Sequence, residues 1–147
     1  PFTAPAKGGI IDQLAFNVTT LLAGNARIGL YRNLSPGNLY PGDLVAGTDT
    51  GAIATGTAGV KTASVNVTLI PGELYWLAYL SDVAATLRCL ALANMHPMHG
   101  LDSALGTAPG FGITRAFAFA ALPTPFGAGG SVISAVPIPA LAFRLSA

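Results

Sequence analysis

Apolar and polar residues alternate with a period of two over much of this chain. The clearest run is Lys61 to Leu69, where Val65, Val67 and Leu69 alternate with Ser64, Asn66 and Thr68. A period of two puts successive side chains on opposite faces of a strand. The run therefore predicts a strand with one buried and one wet face, as in an antiparallel sheet. Ile10 to Thr20 reads the same way, with Leu14, Phe16 and Val18 on one face and Ala15, Asn17 and Thr19 on the other. Arg27 to Arg32 predicts a strand with Ile28 and Leu30 inward, and Ala52 to Thr55 a short edge strand. Glu73 to Ser81 differs: Leu74, Trp76 and Leu80 oppose Tyr75, Leu77 and Tyr79. A strand apolar on both faces belongs in the centre of a sandwich or at a subunit interface.

Towards the C-terminus, Leu87 to Ala93 and Ile113 to Ala121 predict further strands. The second carries Phe117 and Phe119 on the Arg115 face and Thr114, Ala116 and Ala118 on the other. Pro139 to Leu145 closes the domain with Leu141, Phe143 and Leu145 inward. Turn chemistry separates these runs at Ser35-Pro36-Gly37-Asn38, Pro41-Gly42-Asp43 and Pro71-Gly72. In the last, Gly72 suits the position of a type II turn that needs positive φ. Gly29 allows a close approach by a neighbouring strand or ring. Asn94 to Gly112 reads as a long loop, and Leu122 to Ser131 as a Pro/Gly loop. No run has a 3.6-residue period bounded by helix caps. About eight strands in one domain predict an all-β, antiparallel, two-sheet sandwich of jelly-roll-like type. Residues 1–9 read as an N-terminal arm or linker, and 10–147 as one β-sandwich domain. Trp76 is expected to be buried, either in the space between the sheets or at a subunit seam.

Composition sharpens this picture. Of 147 residues, 52% are apolar and only 9% charged, against about 25% charged in an ordinary soluble domain. Either a membrane or neighbouring subunits would explain so few charges. A spanning helix needs about 18 or more consecutive apolar residues. Leu74 to Leu80 is too short for that, and Val132 to Phe143 is interrupted by Pro137 and Pro139. The irregular strands do not suit an outer-membrane barrel either. No membrane insertion is expected, and the surface is expected to be covered by neighbours in a homo-oligomer. The formal net charge is +1, and Arg27, Arg32, Arg88, Arg115 and Arg144 are scattered. A nucleic-acid binder clusters its basic residues, so no nucleic-acid partner is expected. A chain starting at Pro1 is expected to be a processed product, an excised domain or part of a longer chain.

Chemistry-bearing groups are sparse. Asn94-Met95-His96-Pro97-Met98-His99 brings two imidazoles and two thioethers together, ligands that suit copper or zinc. The spacing matches no standard zinc pattern. His96 and His99 are thus the only metal candidates, and no metal or other cofactor is expected. The alternative reading packs Met95 and Met98 on a neighbour. Cys89, the single cysteine, has no internal disulfide partner and reads as a buried, inert thiol. The acids Asp12, Asp43, Asp49, Glu73, Asp82 and Asp102 mostly fall beside turns, where they cap backbone groups. No convergent acid/base pair or catalytic triad emerges, so no enzymatic activity is expected. Tyr31, Tyr40, Tyr75, Trp76 and Tyr79 have the faces to stack on sugars, but packing explains an apolar run such as 75–79 better. The interface or binding candidates are Tyr75, Trp76, Tyr79, Met95, Met98, Phe117 and Phe119.

Several phrases occur in a telling order. Phe16-Asn17-Val18-Thr19-Thr20 precedes Arg27-Ile28-Gly29-Leu30-Tyr31-Arg32, then Tyr40-Pro41-Gly42-Asp43-Leu44-Val45. Gly59-Val60-Lys61 leads into the long strand, and Leu69-Ile70-Pro71-Gly72-Glu73-Leu74-Tyr75-Trp76-Leu77-Ala78 follows. This order resembles a β-sandwich domain of tail-fibre, head-fibre and minor structural proteins of tailed bacteriophages. The resemblance covers residues 10–80 and continues loosely through Leu122-Pro123. It implies a structural component of the virion, often trimeric, in contact with other virion proteins. It equally allows a fibre tip that binds a host receptor or glycan. It carries no agreed functional residues, and the loop Asn94 to Gly112 departs from it.

Overall fold

The computed structural model describes residues 1–90, 110–134 and 136–146. These contain thirteen strands and no helix, against the eight or so strands expected. In chain order they are β1 (Phe2–Thr3), β2 (Gly9–Thr20), β3 (Asn25–Ser35), β4 (Asn38–Leu44), β5 (Ile53–Ala54), β6 (Gly59–Leu69) and β7 (Leu74–Ser81). There follow β8 (Thr86–Leu87), β9 (Cys89–Leu90), β10 (Gly112–Thr114), β11 (Ser131–Ile133), β12 (Ile138–Pro139) and β13 (Ala142–Leu145). The fold is an all-β antiparallel sandwich. Sheet I runs β1-β7-β3-β4, with β5 on β3. Sheet II runs β13-β2-β6, with β8 on β2. The chain crosses between the sheets from β1 to β2, β2 to β3, β5 to β6, β6 to β7 and β7 to β8. Two short ribbons, β10-β11 and β9-β12, complete it.

The alternation read from the sequence builds the core. Leu14, Phe16 and Val18 of β2 face Ile28 and Leu30 of β3, with Val67 and Leu69 of β6 and Tyr75 of β7. Burying a large apolar side chain of this kind contributes about 1.5–3 kcal/mol. Phe16 meets Tyr79 edge-on across the sheets, with ring centroids 5.6 Å apart. In β2 the alternation slips once: Ile11 and Leu14 are both buried, and the β2–β6 register shifts between Ile11 and Gln13. The irregularity lets both residues point inward despite odd spacing.

Several local features differ from expectation. The N-terminal residues are not a free arm. Phe2 and Thr3 pair with Tyr75 and Leu74, and the Phe2 ring stacks on Phe143 at 4.4 Å. Pro41-Gly42 is no turn but lies inside β4, where Pro41 opposes Asn33 at a register shift. An edge strand tolerates a residue without an N–H. A Cβ on Gly42 would lie 2.8 Å from the Leu34 Cα, so glycine is what fits. The strand expected over 113–121 ends at Thr114, because only β11 pairs with it, over three residues. The strand expected over 87–93 is interrupted at Arg88, between β8 and β9, and its part beyond Leu90 lies outside the described residues. Cys89 is exposed rather than buried: β9 sits in a two-stranded ribbon away from the core. Leu145, expected inward, is 39% exposed at the sheet edge. The Pro71-Gly72 turn forms as read, with Gly72 at φ 73° and Glu73 N–H donating to the Ile70 carbonyl at 3.2 Å.

Beside β4, residues 45–52 continue along the edge of β3 without regular pairing, until β5 pairs with Asn25 and Ala26. Thr48, 1% exposed, takes the place of a strand partner there. Its hydroxyl accepts the Leu30 N–H at 3.1 Å and donates to the Val45 carbonyl at 2.7 Å. Thr50 likewise accepts the Ile28 N–H at 3.1 Å.

Candidate interaction surfaces

The two faces of β7 meet different surroundings. Tyr75, Leu77 and Tyr79 point into the space between the sheets. Trp76, Ala78 and Leu80 point the opposite way and join Tyr31, Leu122, Ile113 and Phe126 in a second apolar cluster. Trp76 is thus buried, at 4% exposure, but not between the two sheets. Its own chain covers it, because residues 110–134 fold over the outer face of sheet I. Trp76 Nε1 donates to Asn33 Oδ1 at 3.0 Å, satisfying the one polar atom of the indole.

The covering segment is tied down by side chains of sheet I. The Tyr31 hydroxyl donates to the Pro123 carbonyl at 2.7 Å. The Tyr40 hydroxyl donates to the Gly127 carbonyl at 2.9 Å and accepts the Gly130 N–H at 2.8 Å. Phe126 stands edge-on to both rings, at 5.5 and 5.7 Å. Phe126 N–H also donates to the Gly42 carbonyl at 2.8 Å, on the edge of β4. Asp49 accepts from Arg27 at 2.8 Å and from the Leu122 N–H at 3.0 Å. The Arg27 guanidinium lies over the Phe119 ring at 5.7 Å. Gly29 is what admits the segment closely: a Cβ there would lie 2.4 Å from Leu122 Cδ1. Burial, with the Asp49 charge adding to it, pushes the Tyr31 phenol up to about 12. Burial also holds the Tyr79 phenol above its ordinary value.

The candidate residues therefore separate. Tyr75 is fully buried and Tyr79 half-buried in the inter-sheet core. Trp76 lies beneath the covering segment. Phe119 packs under Arg27, whereas Phe117 is 38% exposed beside Arg115. Met95, His96, Met98 and His99 lie outside the described residues. Reading Leu122 to Ser131 as a plain loop missed its role as a cover. The signal was there: Tyr31 and Tyr40 on sheet I each need a polar partner once buried, and both find it in this segment.

Between the covering segment and sheet I lies a cleft of about 320 Å³. Trp76, Ala78 and Leu80 of β7, Ile113, Ile138 and Leu141 line it, with Arg115 and Phe117 also on its wall. A more open groove of about 450 Å³ separates β4 from β6, and holds Arg32 and Asp43 together with Asn66 and Thr68.

Large apolar side chains remain exposed elsewhere: Val60 at 65%, Val136 at 59%, Leu21 at 55%, Leu34 at 53% and Leu22 at 47%. Leu21 and Leu22 follow β2, and Val60, opposite Asn17, opens β6 at that same end of the sandwich. No protein-family model, curated protein or solved structure matches this chain.

Proposed function

We propose that this chain is a non-catalytic structural module of a tailed-bacteriophage virion, a fibre or a head or tail decoration domain working as a homo-oligomer. The observation that carries the reading is the surface. Seven basic and six acidic residues serve all 147 positions, while Leu21, Leu22, Leu34, Val60 and Val136 stand about half exposed or more. Leu21, Leu22 and Val60 fall at one end of the sandwich, and grouped exposed apolar side chains on a soluble chain mark contact with a partner. Cyclic symmetry buries such a patch once per subunit. The three-fold state follows from the phage-fibre resemblance, whose phrases fall on β2, β3, β6, β7 and the Pro71-Gly72 turn. Asp12 and Asp49 are each engaged by an arginine, and Asp82 by Asn25, which suits structural roles for these acids. A structural role is favoured over a glycan-binding tip because Tyr75 and Trp76 are buried and the Tyr40 hydroxyl is engaged.

Electron microscopy of the native particle tests this reading. Density for the sandwich is expected at symmetric positions on a fibre, head or tail. Its absence from purified particles would overturn the assignment.

A further inference from the structure

We propose that the cleft beneath the covering segment is a binding site for a small apolar monoanion, namely a medium-chain aliphatic carboxylate. Its volume, about 320 Å³, lies at the low end of the roughly 300–1,000 Å³ typical of ligand pockets. Its walls are those of a ligand site: mostly aliphatic and aromatic, with few polar groups. Trp76, Leu80, Ile113, Ile138 and Leu141 supply apolar surface for an alkyl chain.

Arg115 decides the charge of the occupant. It is the one charged side chain on the cleft wall, and it is only partly buried. No carboxylate lies within ion-pairing distance of it among the described residues, where Arg27 and Arg144 hold the acids Asp49 and Asp12. One guanidinium nitrogen donates to the Phe126 carbonyl, and a guanidinium has five donors. The remainder can grip a carboxylate in the two-pronged geometry this pair favours. The groove between β4 and β6 makes the contrast: there an acid, Asp43, shares the lining with Arg32. A cation with no acid partner among the described residues, on a mostly apolar wall, selects an anion with an apolar tail.

The chain carries its own reporter, since Trp76 is its single tryptophan and lines the cleft. The test is to titrate the full chain with 12-bromododecanoate, dodecanol and dodecylamine below their aggregation concentrations, following Trp76 emission. The bromocarboxylate is expected to quench saturably at one molecule per chain. Dodecanol is expected to bind about tenfold or more weakly, by loss of charge-assisted hydrogen bonds, and dodecylamine more weakly still. Arg115→Gln is expected to bring the carboxylate down to the level of the alcohol while leaving the alcohol unchanged. Unsaturable quenching, equal binding of amine and carboxylate, or a carboxylate affinity indifferent to Arg115→Gln would each overturn the proposal. If Arg115→Gln does not fold by circular dichroism, the three-ligand comparison on the wild-type chain decides alone.

Discussion

Sheet I has its outer face covered by residues 110–134, whereas nothing among the described residues covers the outer face of sheet II. The covered face carries Tyr31, Trp76, Ala78 and Leu80. The open one carries Thr19, Thr62, Ser64, Asn66 and Thr68, all exposed, and its ion pair joins Asp12 to Arg144 at 2.8 Å. That hydrogen-bonded pair holds the Asp12 carboxyl below the usual carboxylate range. A chain this poor in charge thus finishes its two sheets differently. One apolar face is buried by folding more chain over it. The other is kept wet mostly by hydroxyl and amide groups, with one ion pair. The second apolar face of β7 is covered within the chain. The apolar side chains that stay exposed include Leu21, Leu22 and Val60 at one end of the sandwich.

The covered face offers the largest effects. Trp76→Ala should cost about 3–5 kcal/mol in denaturant unfolding, as other large-to-small core changes do. The Trp76 emission of the native chain should be blue-shifted and protected from iodide. A red-shifted, quenchable spectrum would mean that the cover is not seated.

Next comes the contact that seats it. Gly29→Val places a side chain where Leu122 Cδ1 lies, and overpacking of this kind costs about 1–3 kcal/mol. In a Leu122→Ala background the same change should cost less, with a coupling above about 0.5 kcal/mol. Additive costs would show that Gly29 and Leu122 do not meet.

Tyr31 gives a smaller, pH-dependent effect. Its phenol titrates near 12 in the folded chain against an ordinary 10, so the folded state holds this proton more tightly. The corresponding stability is fully present below pH 10 and is lost as pH rises through about 12. Tyr31→Phe should cost about 1 kcal/mol at neutral pH, through the lost bond to Pro123. It should also flatten the decline of stability above pH 10; an unchanged alkaline decline would show that other groups cause it.

The open face should respond least. Thr62→Lys and Asn66→Lys are expected to stay within about 0.5 kcal/mol of wild type, as surface changes do. A loss of several times that size would mean that sheet II is covered as well.

Legibility in the sequence followed the same division. β2 and β6 were readable because their alternation reports one buried and one wet face, and Leu14, Phe16, Val18, Val67 and Leu69 are buried as read. β7 was readable as a strand, but a strand apolar on both sides does not say which side meets the second sheet. Tyr75 took that place and Trp76 the other. The alternating aromatics of 113–121 imitate a strand because Phe119 packs down on Arg27 while Phe117 stays partly exposed. Phe119 meets Arg27 of sheet I and Phe117 meets Arg115, so neither pairs as in a strand, a distinction set by chain segments some ninety residues away, such as the Tyr31 bond to Pro123. The cleft was not legible at all, since Trp76, Arg115 and Leu141 line it only through the folding of the cover.

The proposal that this sandwich is a subunit of an assembly is tested by light scattering after gel filtration. The expected mass is about three times the 14.8 kDa of the chain, unchanged on dilution to low micromolar concentration. A soluble, cooperatively unfolding monomer of 14.8 kDa at that concentration would contradict it.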